Sequence, residues 1–114
     1  MHHSILARWI KNVSTGDRAA VLALYAPVAM LQPTFSGKIC TVSEQIDAYF
    51  QGFLPKVLGD VVVEDYFERP VDNDLVLLVG TYAFPGIDGR ARFSMLVDDD
   101  WIYHHHSSAQ PEDS

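Results

Sequence analysis

The sequence predicts an α+β fold, with helices in the first half and an antiparallel meander in the second. Three observations predict it. Apolar residues recur at helical spacing as far as Leu54. From Asp60 onward the period changes to that of strands, with turn residues between them. The connections between those strands are too short for the crossovers that a parallel sheet needs, and the order is not the alternating βαβ of an α/β domain.

The elements follow in order. Ile5, Leu6, Trp9, Ile10 and Val13 form the apolar stripe of a first helix. Gly16 is its stop, and Asp17 is the N-cap of a second helical run over Ala19 to Tyr25. Pro27 closes that run, and Val28 to Leu31 reads as a short strand. Thr41-Val42-Ser43-Glu44 matches a capping box ahead of Ile46, Tyr49, Phe50, Phe53 and Leu54, the apolar face of a third helix that ends at Pro55. Val61 to Phe67 is a strand, followed by turn chemistry at Pro70 and Asp72-Asn73-Asp74. Further strands are expected at Leu75 to Phe84, Arg90 to Val97 and Trp101 to Ser108. Asp98-Asp99-Asp100 forms the last tight turn, and the tail from Gln110 to Ser114 is expected to fray.

Leu75-Val76-Leu77-Leu78-Val79 lacks the polar alternation of a strand with one wet face. Both faces are therefore expected to be covered. The helices can cover one of them, and a second copy of the sheet is the simplest cover for the other, so a homodimer or higher homo-oligomer is expected.

At 114 residues the chain is expected to form a single domain, residues 1–114, with a core that needs no staples. Its formal charge of −7 argues against nucleic acid and against an anionic membrane surface as partners. Cys40 is alone, so no intrachain disulfide can form. The chain shows no membrane span and no signal peptide, and a cytoplasmic protein is expected.

Three histidines near the C-terminus invite dismissal as a purification tag, but Trp101, Ile102 and Tyr103 before them are strong strand formers, and ordinary residues follow Ser108. Thr15-Gly16-Asp17 with Ala20 to Ala26, Ala29 to Gly37, Ala48-Tyr49-Phe50 and Phe53-Leu54 resemble the corresponding segments of the nuclear transport factor 2-like superfamily. Ala91-Arg92-Phe93-Ser94, Trp101, His104-His105-His106-Ser107-Ser108 and Pro111 resemble its branch related to the association (hub) domain of calmodulin-dependent protein kinase II. The resemblance implies a cone-shaped curved antiparallel sheet, cystatin-like, wrapped by three helices and holding a pocket. Of the arginines it implies for the hub's pocket only Arg92 is matched. Thr81 and Ser107 stand where others would lie, so a strongly anionic ligand is not implied. Ketosteroid isomerases and polyketide-cyclase-like enzymes share the superfamily. Trp9 and Pro33 fall where the isomerase's tyrosine donor and carboxylate base would lie, which disfavours that chemistry.

On the last strand Trp101, Tyr103, His105 and Ser107 share one face, while Ile102, His104, His106 and Ser108 share the other. A two-residue turn at Asp98-Asp99 places Arg92 opposite His105, giving a concave pocket of Arg92, Tyr103, His105 and Ser107, with Trp9 and Tyr82 among its aromatic lining. A slip of one residue exchanges the faces, and the third Asp keeps that alternative open. In this pocket Arg92 would hold a carboxylate or enolate-like oxygen, and His105 would move a proton. Alternatively, Arg92 pairs with an internal acid and the histidines bond to backbone. His104 and His106 could chelate a metal but lack a third ligand, so neither a metal nor another cofactor is expected. The expected function is a small-molecule-binding homodimer with an apolar pocket anchored by Arg92. The alternatives are an enzyme doing acid/base chemistry on a carbonyl compound with Arg92 and His105, and a structural association module.

Overall fold

A computed structural model describes residues 2–111 of the chain. Helix α1 (Ser4–Ser14) buries Ile5, Leu6, Trp9 and Val13, the stripe its spacing predicts. Gly16 ends it with φ +71°, a left-handed conformation that glycine adopts without steric cost. Asp17 then caps α2 (Arg18–Leu22), its Oδ1 accepting the Ala20 N–H at 3.1 Å. Asp17→Ala is expected to lower stability by about 1 kcal/mol, the usual cost of a lost N-cap, measurable by urea denaturation.

The helical run expected to reach Tyr25 stops at Leu22, and β1 spans Tyr25–Gln32. Long-range pairing overrides local helix propensity here. The Ile102 N–H donates to the Leu24 carbonyl at 2.7 Å, and Tyr25 pairs with Ile102. Pro27 is tolerated because β1 is an edge strand. Helix α3 (Ser43–Phe53) starts one residue later than the capping box implies. Its N-cap, Val42, makes no side-chain cap bond, and it is Gln45 Oε1, not Glu44, that reaches back to the Thr41 N–H at 2.8 Å. A 3-10 turn at Leu54–Lys56 completes the helical half.

Strands β2 (Val62–Asp72), β3 (Leu75–Ala83), β4 (Ala91–Val97) and β5 (Ile102–Ala109) form the expected antiparallel meander. The sheet order is β1-β5-β4-β3-β2, with β1 parallel to β5. The result is a curved five-stranded sheet with three helices packed into its concave side. Pro70 lies within edge strand β2 and not in the turn, which tightens around Asn73 at φ +40°. Of the tail expected to fray, Gln110 is held by a bond from its N–H to the Arg90 carbonyl at 2.9 Å, and residues 112–114 lie outside the described residues. No helix among the described residues is long and apolar enough to cross a membrane.

Two irregularities decide which residues face where. Asp65, at φ +49°, makes a bulge between Glu64 and Phe67. Val63 pairs with Tyr82 on the concave face, whereas Phe67 pairs with Val79 on the convex one. A regular strand would have put both on the same side, since one extra residue inverts every side chain beyond it. At the other hairpin, Asp98 Oδ1 accepts both the Asp100 and the Trp101 N–H at 2.8 Å, and the Asp98 N–H bonds to the Trp101 carbonyl at 3.1 Å. The turn is therefore wider than the two residues expected, and the register slips beside Tyr103.

The convex face carries no helix. Its residues follow from the cross-strand pairs: Phe67 and Arg69, Leu77 and Val79, Arg92, Ser94 and Leu96, His104 and His106, and Met30 and Gln32. Phe67 is 69% exposed, and Val28 on β1 is 78% exposed.

Candidate functional site

The wider turn and the bulge at Tyr103 together set Met95 opposite His105 and Arg92 opposite Ser108. The expected pairing of Arg92 with His105 is thus corrected by three residues, an odd number, so the two side chains lie on opposite faces of the sheet. Arg92 is exposed on the convex face, while His105 is 2% exposed inside the cone. Tyr103 falls at the bulge, and its hydroxyl donates to the Asp98 carboxylate at the hairpin. The four-residue pocket expected from the sequence is not assembled. His105, Ser107, Tyr82 and Trp9 are brought together, and Arg92 and Tyr103 are not.

What the interior holds is a buried chain of hydrogen bonds. The Trp9 Nε1–H can only donate, and it bonds to Tyr25 Oη at 3.1 Å. Tyr25 therefore turns its own proton to His105 Nδ1, 2.8 Å away. That leaves the His105 proton on Nε2, donating to Tyr82 Oη at 3.1 Å. Tyr82 donates in turn to Ser107 Oγ at 2.6 Å, and Ser107 is bonded to Thr34 Oγ1. With Tyr82 donating to Ser107, the whole chain runs in one direction from the indole, and every polar group in it is satisfied.

The supporting packing is aromatic. Trp9 stacks on Tyr82 at 5.4 Å between centroids and meets the His105 ring edge-on at 5.5 Å. Phe93 stacks on the other side of Tyr82 at 4.7 Å. Gly80 makes room for it, since a Cβ there would stand 3.1 Å from the Phe93 ring. Thr34 reaches Ser107 because the loop that carries it is closed by paired backbone bonds between Leu31 and Cys40, at 2.8 and 2.9 Å.

The electrostatics are those of a neutral core. Burial, reinforced by the neighbouring His104 and His106, pushes the His105 imidazole down to about 3. Burial drives the Tyr25 and Tyr82 hydroxyls well above the ordinary phenol range, against the lowering effect of their hydrogen bonds from Trp9 and to Ser107. Tyr49 is pushed up to about 12, also by burial. An acid/base catalyst works best with a pKa near the operating pH, and none of these groups has one. The free space beside Trp9, Thr34, Phe53, Tyr82, His105 and Ser107 is about 10 Å³, the threshold for a single water.

Thr34 is the member of the chain that sequence reasoning missed, and Tyr25 was assigned to a helix. Neither carries a local signal, because each enters only through the pairing of β1 with β5.

No family model matches the chain, and no curated protein matches it. Solved structures do. A protein from Xanthomonas campestris, described as a candidate calcium/calmodulin dependent protein kinase II association domain, is 30% identical with a TM-score of 0.82, over 96% of this chain and 85% of that one. A Nostoc punctiforme protein of unknown function with a cystatin-like fold is 16% identical with a TM-score of 0.76, over 95% and 87%. A candidate dehydratase of the nuclear transport factor 2-like family from Streptomyces avermitilis is 12% identical with a TM-score of 0.78, over 94% and 91%. The last two likenesses are of fold alone.

Proposed function

Because this chain belongs to the nuclear transport factor 2-like superfamily, together with the association-domain protein of Xanthomonas campestris, we propose that it is a self-pairing association module. Two copies meet through the convex faces of their sheets. The observation that carries this reading is the unpartnered apolar surface of Val28, Met30, Phe67, Leu77, Val79 and Leu96. Contiguous apolar surface of this kind is uncommon on soluble monomers and marks interaction sites. The interior supports the same reading from the other side, since its polar groups are spent on one another and its free space is about 10 Å³.

Sedimentation velocity of the full chain near neutral pH tests the proposal. A dimer is expected at micromolar concentration. Leu77→Arg places a second cation opposite Arg69 in each copy and is expected to raise the dissociation constant at least about 100-fold, with an unchanged circular dichroism spectrum. A wild-type chain that sediments as a monomer throughout overturns the reading.

A second reading, a small-molecule site inside the cone, draws on one feature. Phe35 is 53% exposed and stacks on Phe53 at 5.8 Å, next to Thr34 at the end of the hydrogen-bond chain. Swinging Phe35 aside would open the aromatic interior. A thermal-shift screen with steroids, aromatic acids and small carboxylates tests it: a ligand at 100 times its dissociation constant stabilises by about 2.7 kcal/mol. An Arg92 anchor and an Arg92–His105 catalytic pair form no part of it, because the sheet separates those residues.

A further inference from the structure

The convex face is unusual in its charges. The chain as a whole carries −7, yet among the described residues the charged or titratable groups in the middle of this face are all cations or groups that can become cations. β5 contributes His104 and His106, β4 contributes Arg92, and β2 contributes Arg69. From β1 it takes Val28, Met30 and Gln32, and from β3 Leu77, Val79 and Thr81, none of which titrates. Its acids, Glu64 and Asp72, stand toward the two ends of edge strand β2, and Glu64 is bound to Arg90. Among the described residues no carboxylate lies opposite either histidine. His104 pairs with Met30 and Leu96 and donates from Nε2 to Gln32 Oε1 at 3.2 Å. His106 pairs with Gln32 and Ser94, and Arg92 is its diagonal neighbour, about 7–8 Å away.

We infer that His104 and His106 make the self-pairing pH-sensitive, holding two copies together when neutral and releasing them as they charge. This inference rests on the pairing proposed above. Histidine is the side chain whose ordinary titration falls between pH 5 and 8. In a separated protomer His106 is exposed and His104 is half-buried, so both imidazoles meet water. In the seam they would be desolvated among apolar side chains, with arginines from both copies nearby and no acid to compensate. Protons thus bind the separated form more tightly, and linkage requires acid to shift the equilibrium towards it. The sign distinguishes this device from general electrostatics. Protonating histidines reduces the net charge of −7 and with it the repulsion between whole molecules, which alone would strengthen pairing in acid.

The experiment is sedimentation equilibrium of the full chain between pH 7.5 and 5.5, with circular dichroism at each point, for the wild type and for the His104→Gln/His106→Gln double variant. The dissociation constant of the wild type is expected to rise about tenfold for each imidazole that the seam keeps neutral, with the fold retained. The double variant is expected to pair equally at both ends of the range. Should it fail to fold, the single variants His104→Gln and His106→Gln, each expected to lose part of the pH response, take its place. A wild type that pairs equally at pH 7.5 and 5.5 overturns the switch and leaves the association module standing. A double variant that loosens in acid as much as the wild type overturns the assignment to these two residues. A chain that is monomeric throughout overturns the pairing itself, and the switch with it.

Discussion

His105→Ala is expected to lower the stability of the domain by about 4 kcal/mol, a large part of the roughly 5–15 kcal/mol typical of a folded domain. Two costs combine. The imidazole is 2% exposed and wedged between Trp9, Tyr25 and Tyr82, so its removal leaves a void that β5 cannot close without breaking its pairs to β1 and β4. It also leaves the buried Tyr25 hydroxyl proton without its acceptor and takes one bond from Tyr82, which keeps Ser107, and an unsatisfied buried polar group costs about 1–3 kcal/mol. Tyr82→Phe separates the two costs. It keeps the ring and removes only the hydroxyl that joins His105 to Ser107, so it is expected to cost about 1–2 kcal/mol. Urea denaturation with tryptophan fluorescence measures both. A loss below about 1 kcal/mol for His105→Ala would show that the imidazole does not tie the interior together.

Acid is expected to weaken the fold through the same residue. The folded imidazole titrates at about 3 against an ordinary value of 6.5. Above the ordinary value neither the folded nor the unfolded chain carries this proton, and the full stability is present. As the pH falls below it, the unfolded chain takes up the proton and the folded chain does not. Stability then falls by about 1.4 kcal/mol per pH unit until the folded value is reached. Between pH 7.5 and 5 the loss is about 2 kcal/mol. The measurement belongs in the His104→Gln/His106→Gln background, where acid no longer acts through pairing. Stability that stays level down to pH 5 in that background would contradict a neutral, desolvated His105.

The association reading and the neutral interior support one another. A cone whose polar groups are aligned from Trp9 to Thr34 has little left to offer a substrate, and the surface that is left unsatisfied is the outer one. The histidine triplet divides accordingly. His105 points inward to hold the core, and His104 and His106 point outward on the convex face.

The amino-acid sequence by itself determined the α+β class, the three helices, the antiparallel meander, the Gly16 stop and the Asp17 cap, because each rests on spacing or chemistry within a few residues. It also determined that His105 and Ser107 share a face, since two residues on one strand always do. Only the tertiary structure decided what meets that face. Thr34 joins Ser107 across 73 positions and Tyr25 joins His105 across 80, through a parallel pairing of β1 with β5 that no local pattern announces. The side of Arg92 depended on the bulge at Tyr103, one extra residue on β5 that inverts every side chain beyond it. The turn at Asp98 moves the register by two residues, which keeps the faces, and the bulge moves it by a third, which carries Arg92 to the opposite face of the sheet. Local propensity acts over a turn of helix or a strand pair, whereas strand order and register are settled by the burial of the whole sheet.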